Sequence, residues 1–229
     1  MNRGKILFIT GTDTDVGKTV VSLLVMHALA GRDAVYLKPV QTGCTDPERD
    51  SDPAFVNRHL PDGLPHGMTP ASCIHSCRPK PKAPLFAGDP VDFKDLLHFI
   101  TAHATRHDIT VVEGAGGVFV PITPDRTMLD LAVAAKATIL VVGRAGLGTI
   151  NHTLLTLEAI TARGADCTGV ILVDPTNSVP ERDRMENSAA IENFSDRAVL
   201  GVIGHIADLR HPEPRPLAVI EKLFPLLLP

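Results

Sequence analysis

Residues Lys5 to Thr19 read KILFITGTDTDVGKT, and a run with helical periodicity follows from Gly17 to Ala30. An apolar strand, Lys5–Thr10, thus delivers a glycine-bearing loop straight onto a helix start. A helix N-terminus offers unpaired N–H groups and a partial positive charge, so it is a natural seat for an anion. Gly17 lets the backbone approach phosphate oxygens, Lys18 supplies a point charge for the β- and γ-phosphates, and Thr19 offers a hydroxyl to Mg²⁺. The usual spacing of such a loop is G-x4-G-K-[ST]. Here five residues separate Gly11 from Gly17, and Thr12 takes the place of the first glycine.

The rest of the chain repeats the same rhythm. Strands are predicted over Lys5–Thr10, Ala34–Lys38, Ile109–Glu113, Ala137–Gly143, Thr168–Asp174 and Val199–Gly204, rich in Val, Ile and Leu on both faces. Between them, helices are predicted over Gly17–Ala30, Val91–Arg106, Thr127–Lys136, Ile150–Arg163 and Pro180–Phe194. Asp92, and Thr127 with Asp130, supply N-cap signals. This alternation predicts an α/β fold: an open, mostly parallel sheet with helices on both faces, of the P-loop NTPase type. Functional residues then belong at the carboxyl ends of the strands.

Two segments break the rhythm. Residues 43–90 are proline-rich, with a short helix over Asp52–His59 and no persuasive strand; so long an irregular stretch usually serves binding. The tail from Arg210 carries one short apolar helix, Leu217–Phe224. Neither a repeat nor a low-complexity linker divides the 229 residues, so a single domain over 1–229 is expected, with 43–90 on its substrate and metal side.

Composition excludes several classes. Apolar residues make up 44%, and 22 Lys and Arg against 26 Asp and Glu leave a net charge of −4, so nothing in the balance favours nucleic acid or an anionic membrane. Four cysteines are no disulfide framework, and no apolar run approaches the ~20 residues of a membrane span. No signal-peptide core follows the start MNRGKILFITGTD, and a cytoplasmic location is expected.

Phosphoryl transfer needs a carboxylate for Mg²⁺. The third strand supplies Glu113, followed by Gly114-Ala115-Gly116-Gly117, where an acid beside the phosphate loop belongs; by itself it also reads as a strand-end Glu facing solvent. The second strand closes in Lys38-Pro39-Val40-Gln41-Thr42-Gly43. A lysine there either faces an anion in the crevice or snorkels out of the sheet edge. Cys73-Ile74-His75-Ser76-Cys77 invites a zinc reading, with Cys44 and His66 as the missing ligands, but a plain loop is the expected outcome. Gly143, Gly146 and Gly148 do not follow the dinucleotide order. No arginine is expected near the phosphate loop to receive a carboxylate.

Taken in order, Gly11–Thr19 as GTDTDVGKT, Lys38–Gly43 as KPVQTG, Asp50-Ser51-Asp52, Glu113–Gly117 as EGAGG, and Leu147–His152 as LGTINH resemble the dethiobiotin synthetase family, over Lys5 to about Leu209. The resemblance implies an ATP-dependent ligase of biotin synthesis that closes the ureido ring of dethiobiotin from 7,8-diaminononanoate and CO2. It further implies that Asp15, Val16, Gly17, Lys18, Thr19 and Val20 wrap the triphosphate, and that Thr19, Asp52 and Glu113 hold Mg²⁺. Lys18 and Lys38 would neutralise the carbamate and the phosphoryl group, with Thr14 and Thr42 hydrogen-bonding the carbamate region. Glu113, Gly114, Ala115 and Gly116 would line the nucleotide pocket, and Asp174 would face the base. Gly148, Thr149, Ile150 and Asn151 would receive the substrate carboxylate across a homodimer interface.

The chain departs from the family at Val173, where Asn is common, at Ala207 and Asp208, and at Leu85, where His is frequent. The alternatives are another amidoligase-like P-loop protein, or a partitioning ATPase, which would carry a second lysine early in the loop where this chain has Thr12-Asp13-Thr14.

Overall fold

The computed structural model describes residues 4–227; Met1–Arg3 and Leu228–Pro229, the ends of the expected single-domain span, lie outside the described residues. The elements in chain order are β1 (Lys5–Gly11), α1 (Lys18–Ala28), β2 (Ala34–Leu37), β3 (Val40–Thr42), α2 (Asp52–His59), β4 (Ser76–Arg78) and α3 (Phe93–Ala104). They continue as β5 (Ile109–Gly117), β6 (Pro121–Thr123), β7 (Arg126–Thr127), α4 (Met128–Ala134), β8 (Thr138–Arg144) and α5 (Thr149–Ala162). The chain ends with β9 (Cys167–Val173), α6 (Glu181–Ser195), β10 (Val199–Ile203), α7 (Pro214–Glu221) and α8 (Phe224–Leu227).

Six strands form one parallel sheet in the order β10-β9-β8-β1-β5-β2. The period of two explains its two cores. In β1, Ile6 and Phe8 face one layer while Leu7 and Ile9 face the other; β8 and β9 alternate likewise. The first layer is closed by α3, α4, α5 and α6 through Leu96, Ile100, Leu129, Leu157, Ile160 and Ile191. The second is closed by α1, α2, α7 and α8 through Val21, Leu24, Val56, Ile220 and Leu227. No helix among the described residues is long and apolar enough to cross a membrane.

The N-cap signals are realised. The Asp92 side chain accepts from the N–H groups of Lys94 (2.7 Å) and Asp95 (3.2 Å), and Thr127 with Asp130 forms a reciprocal capping box on α4. Three expectations need correction. Strand β5 does not stop at Glu113 but runs on through the glycines to pair Gly117 with Gly11, because residues this small let two backbones approach. Segment 43–90 does contain a strand: β4 pairs in parallel with β3. Pro39 separates β3 from β2; it has no N–H to donate, and its carbonyl accepts from His75 and Ser76 instead. The tail forms two short helices, α7 and α8, rather than one.

The Cys73–Cys77 segment does not gather a zinc ligand set. Cys73 is packed into the second core, the His75 ring lies 5.7 Å from that of Phe99, and the Cys77 thiol donates to the Cys44 carbonyl at 3.4 Å. Burial pushes the Cys73 thiol up to about 12 and raises Cys167 as well, while burial and the bond to Asp50 raise Cys44. Thiolate is the reactive form. At pH 8 the native protein should therefore present one fast-reacting thiol to dithiobis-nitrobenzoate, that of half-buried Cys77, with the other three reacting only on unfolding. The fast phase should vanish in Cys77→Ser, and two or more fast thiols would contradict this packing.

Candidate active site

The loop between β1 and α1 is shaped by backbone as much as by side chains. Asp15 (φ 55°) and Gly17 (φ 100°) both take the left-handed conformation, which turns the chain around the Lys18 side chain. The Lys18 ammonium donates to the Asp13 carbonyl at 3.0 Å. A Cβ at Gly11 would lie 2.5 Å from that carbonyl and 2.9 Å from Lys18 Nζ, so the strand must end in glycine for the loop to close. Arg144, at the end of β8, donates to the Thr14 carbonyl at 3.0 Å and lies 3.5 Å from the Asp13 carboxylate. An arginine does stand beside the loop; parallel pairing of β8 with β1 brings it there across 130 residues.

At the centre lies Glu113, 1% exposed. Its Oε1 accepts from Thr19 Oγ1 (2.9 Å) and Lys38 Nζ (2.8 Å), and its Oε2 from Ser22 Oγ (2.9 Å) and Tyr36 Oη (2.8 Å). The Lys38 ammonium also reaches Asp52 Oδ2 at 2.7 Å and the Gly114 carbonyl at 3.1 Å. Lys38 therefore faces inward and bridges two carboxylates. Glu113 is not a solvent-facing strand end.

The ionisation of these groups follows from their neighbours. Burial alone would raise Glu113, but the Lys38 ammonium, with help from Lys18 and the Tyr36 hydroxyl, holds it below the usual range. Burial would lower Lys38, and the Glu113 and Asp52 carboxylates outweigh it and raise it above its ordinary value. Asp52 is pushed up by burial and by the adjacent Glu113, against the pull of Lys38. Lys18, paired with no carboxylate among the described residues, is lowered to about 8 by burial and by the Lys38 charge.

A cavity of about 650 Å³ opens above these groups. The structure brings Thr14, Asp15, Gly17, Lys18, Thr19, Val20, Lys38, Thr42, Asp52, Glu113, Ala115 and Gly116 together in its wall. Val16 instead packs into the second core, and Gly114 stands behind the wall. Gly148, Thr149, Ile150 and Asn151 do not line this cavity; they start α5 after β8, and that helix start has no side-chain cap. Asp174 does not line it either. Its carboxylate accepts from the N–H groups of Ser178 and Val179 and from Arg184 at 2.7 Å, all within the protein. Val173 packs on the loop, where a Cβ at Gly17 would come within 3.0 Å of it.

Sequence reasoning missed Gln41, Tyr36, Ser22 and the wall residues Pro81, Lys82, Ala83, Pro84 and Val120. Gln41 lies inside the quoted KPVQTG, and its Oε1 accepts the Asp52 N–H at 3.0 Å, which ties the start of α2 to β3. The period of the strand already turned Tyr36 to the same side as Lys38, but only pairing of β2 with β5 sets its hydroxyl on Glu113.

Breaking one partner of a buried pair strands the other's charge, at about 3–5 kcal/mol. Lys38→Met should lower stability in urea by about that much, and Lys38→Met combined with Glu113→Gln should recover a large part of it. Equal losses in the single and double variants would show that Lys38 does not compensate Glu113.

Residues 5–213 match a family model described as an AAA domain, AAA_26. The ATP-dependent dethiobiotin synthetase BioD of Anaeromyxobacter sp. (strain Fw109-5) is 41% identical over 209 residues, covering 89% of this chain and 91% of that one. The namesake from Anaeromyxobacter sp. (strain K) is 43% identical over 202 residues (86% and 88%), and that of Akkermansia muciniphila is 38% identical over 205 (87% and 92%). Among solved structures, the MinC:MinD cell division complex of Aquifex aeolicus superposes with a TM-score of 0.60 at 12% identity, covering 96% of this chain and 95% of that one. A ParA family ATPase from Chlorobium tepidum superposes with a TM-score of 0.55 at 12% identity (97% and 92%); at such identity these two show the fold alone. The chain belongs to the ATP-dependent dethiobiotin synthetase family, P-loop ligases of biotin biosynthesis.

Proposed function

We propose that this chain closes the ureido ring of dethiobiotin from 7,8-diaminononanoate and CO2, consuming ATP and releasing ADP and phosphate in the cytoplasm. The observation that carries the reading is the convergence on one cavity of the phosphate loop, two buried lysines and the carboxylates of Asp52 and Glu113. In this reading Asp15, Val16, Gly17, Lys18, Thr19 and Val20 wrap the triphosphate, and Glu113, Gly114, Ala115 and Gly116 flank it.

The donor chemistry suits Mg²⁺. Thr19, Asp52 and Glu113 offer only oxygens, and the place where both carboxylates meet already attracts a cation, the Lys38 ammonium. When bound there, the ion supplies positive charge to the phosphate oxygens during transfer. The chain's own groups position the anions. One amine of the diamine adds to CO2 and loses a proton, forming a carbamate. A carbamate oxygen then attacks the γ-phosphorus as the bond to ADP breaks, which gives a carbamic–phosphoric anhydride. The second amine attacks its carbonyl carbon, loses a proton to the medium and expels phosphate. Each species is anionic, so Lys18 and Lys38 act by spreading charge, and the hydroxyls of Thr14 and Thr42 orient the carbamate.

Lys18→Ala removes a positive charge from the wall of the cavity where phosphoryl charge moves and should lower turnover by about 10²–10³-fold. Phosphate release with Mg-ATP, bicarbonate and the diamine, each omitted in turn, measures it. Release that continues unchanged without the diamine would overturn the assigned substrate.

The same reading makes the enzyme a homodimer in which Gly148, Thr149, Ile150 and Asn151 seat the far carboxylate of the diamine bound in the partner subunit. The uncapped start of α5 supports it, as do Leu147 and Leu155, apolar side chains left fully and 59% exposed beside it. Leu147→Glu combined with Leu155→Glu should sediment as a monomer that retains Mg-ATP binding and binds the diamine about 10–100-fold more weakly, the scale of a lost charge-assisted hydrogen bond. A monomer with undiminished diamine affinity would refute the shared site.

A further inference from the structure

At the opposite, amino-terminal edge of the sheet, three connections converge. Asp33 ends the turn between α1 and β2, His66 sits in the loop after α2, and His107 lies between α3 and β5. Asp33 Oδ1 lies 2.7 Å from His107 Nδ1 and 3.1 Å from His66 Nε2, and the three ligand atoms all lie within 4.8 Å of one another. The two imidazole rings are 4.5 Å apart.

We propose that Asp33, His66 and His107 form a binding site for a divalent transition metal ion, zinc in the first place, separate from the active-site cavity. The spacing suits it. With metal–ligand bonds of about 2.0–2.1 Å, tetrahedral ligands stand roughly 3.3 Å apart, close to both separations made by Asp33. The donor set suits it as well. Two imidazole nitrogens and one carboxylate oxygen favour zinc, copper or nickel, whereas Mg²⁺ and Ca²⁺ prefer oxygen alone. The Mg²⁺ proposed for the active site therefore does not compete here.

The ligands are also held. The Asp33 carbonyl accepts from the Ile109 N–H at 3.1 Å, which fixes its backbone at the start of the β2–β5 pairing. The His107 N–H donates to the His103 carbonyl at the end of α3 (3.0 Å). His66 and Gly67 both adopt left-handed backbone, at φ 57° and 67°, and so turn the loop back toward Asp33. Asp33 and His66 keep 39% and 40% of their side-chain surface exposed, which leaves an entry path and a side open to water as a fourth ligand. As ion pairs alone, contacts this exposed contribute little.

The test uses the full-length protein stripped by chelator, with Mg²⁺ in excess to occupy the oxygen ligands of the active site and no nucleotide present to bind zinc. Titration calorimetry with Zn²⁺ should then give one site per chain, and Co²⁺ in its place should develop the visible absorption of a nitrogen-containing, four-coordinate site. His66→Gln and Asp33→Asn should each weaken Zn²⁺ binding by at least about 100-fold, beyond the loss usual for removing an outer-shell partner. His66 lies on a surface loop, so its variant should fold as the parent does, and circular dichroism checks this. Its ATP-dependent turnover should not change. Absence of a zinc site in the parent, or equal affinity in the folded His66→Gln variant, would overturn the proposal.

Discussion

The buried carboxylate of Glu113 sets the terms for the structure around it. An ionised group this deeply buried survives only if every oxygen is satisfied, and here four donors are required: Thr19, Ser22, Tyr36 and Lys38. They come from α1, from β2 and from the residue after β2. The constraint therefore fixes the depth of α1 against the sheet and the register of β2 on β5 at once. The phosphate loop stands between β1 and α1, so its position is fixed by the same bonds.

The arrangement also sorts the two lysines. Lys38 is neutralised within the protein by Glu113 and Asp52, whereas Lys18 donates to a carbonyl, with no carboxylate paired to it among the described residues, and lies under the open cavity. Their chemistry diverges because burial acts on both, and only Lys38 has two adjacent carboxylates to outweigh it. A site built this way keeps Lys38 paired inside the protein and leaves the Lys18 ammonium turned to the cavity. The P-loop fold shared with the MinD and ParA ATPases supplies the frame, and the segment between β3 and α3, which carries Asp52 and the Pro81–Pro84 wall, supplies what is particular to this site.

Much of this was legible in the sequence because it is local. The alternation of Ile6, Leu7, Phe8 and Ile9 announces a strand covered on both faces, the Asp92 and Thr127 caps mark helix starts, and Gly17-Lys18-Thr19 after a strand marks a phosphate seat. The helix Asp52–His59 is legible to the residue, since Ser51 caps it and Pro53 suits its first turn. The extension of β5 through four residues after Glu113 was not legible, because glycines carry no strand propensity and only the approach of Gly11 from β1 makes them one. Strand β4 was missed for a similar reason: three residues in a proline-rich segment become a strand only by pairing with β3.

By itself, then, the sequence determined the periodicities, the caps, the loop chemistry and, through five motifs in order, the family. Tertiary structure alone decided which charges face each other. Lys38 reads from the sequence as an anion partner, with a snorkelling edge residue as the alternative, and parallel pairing of β2 with β5 settles it by setting its ammonium on Glu113. The same holds for Asp174, which turned to Arg184 within the protein, and for Asp33, His66 and His107, 74 residues apart at their ends and joined at one edge of the sheet. Ionic partners are chosen by proximity in a poorly screened interior or at a crowded edge, and proximity between distant residues is a property of the packed sheet, not of the chain.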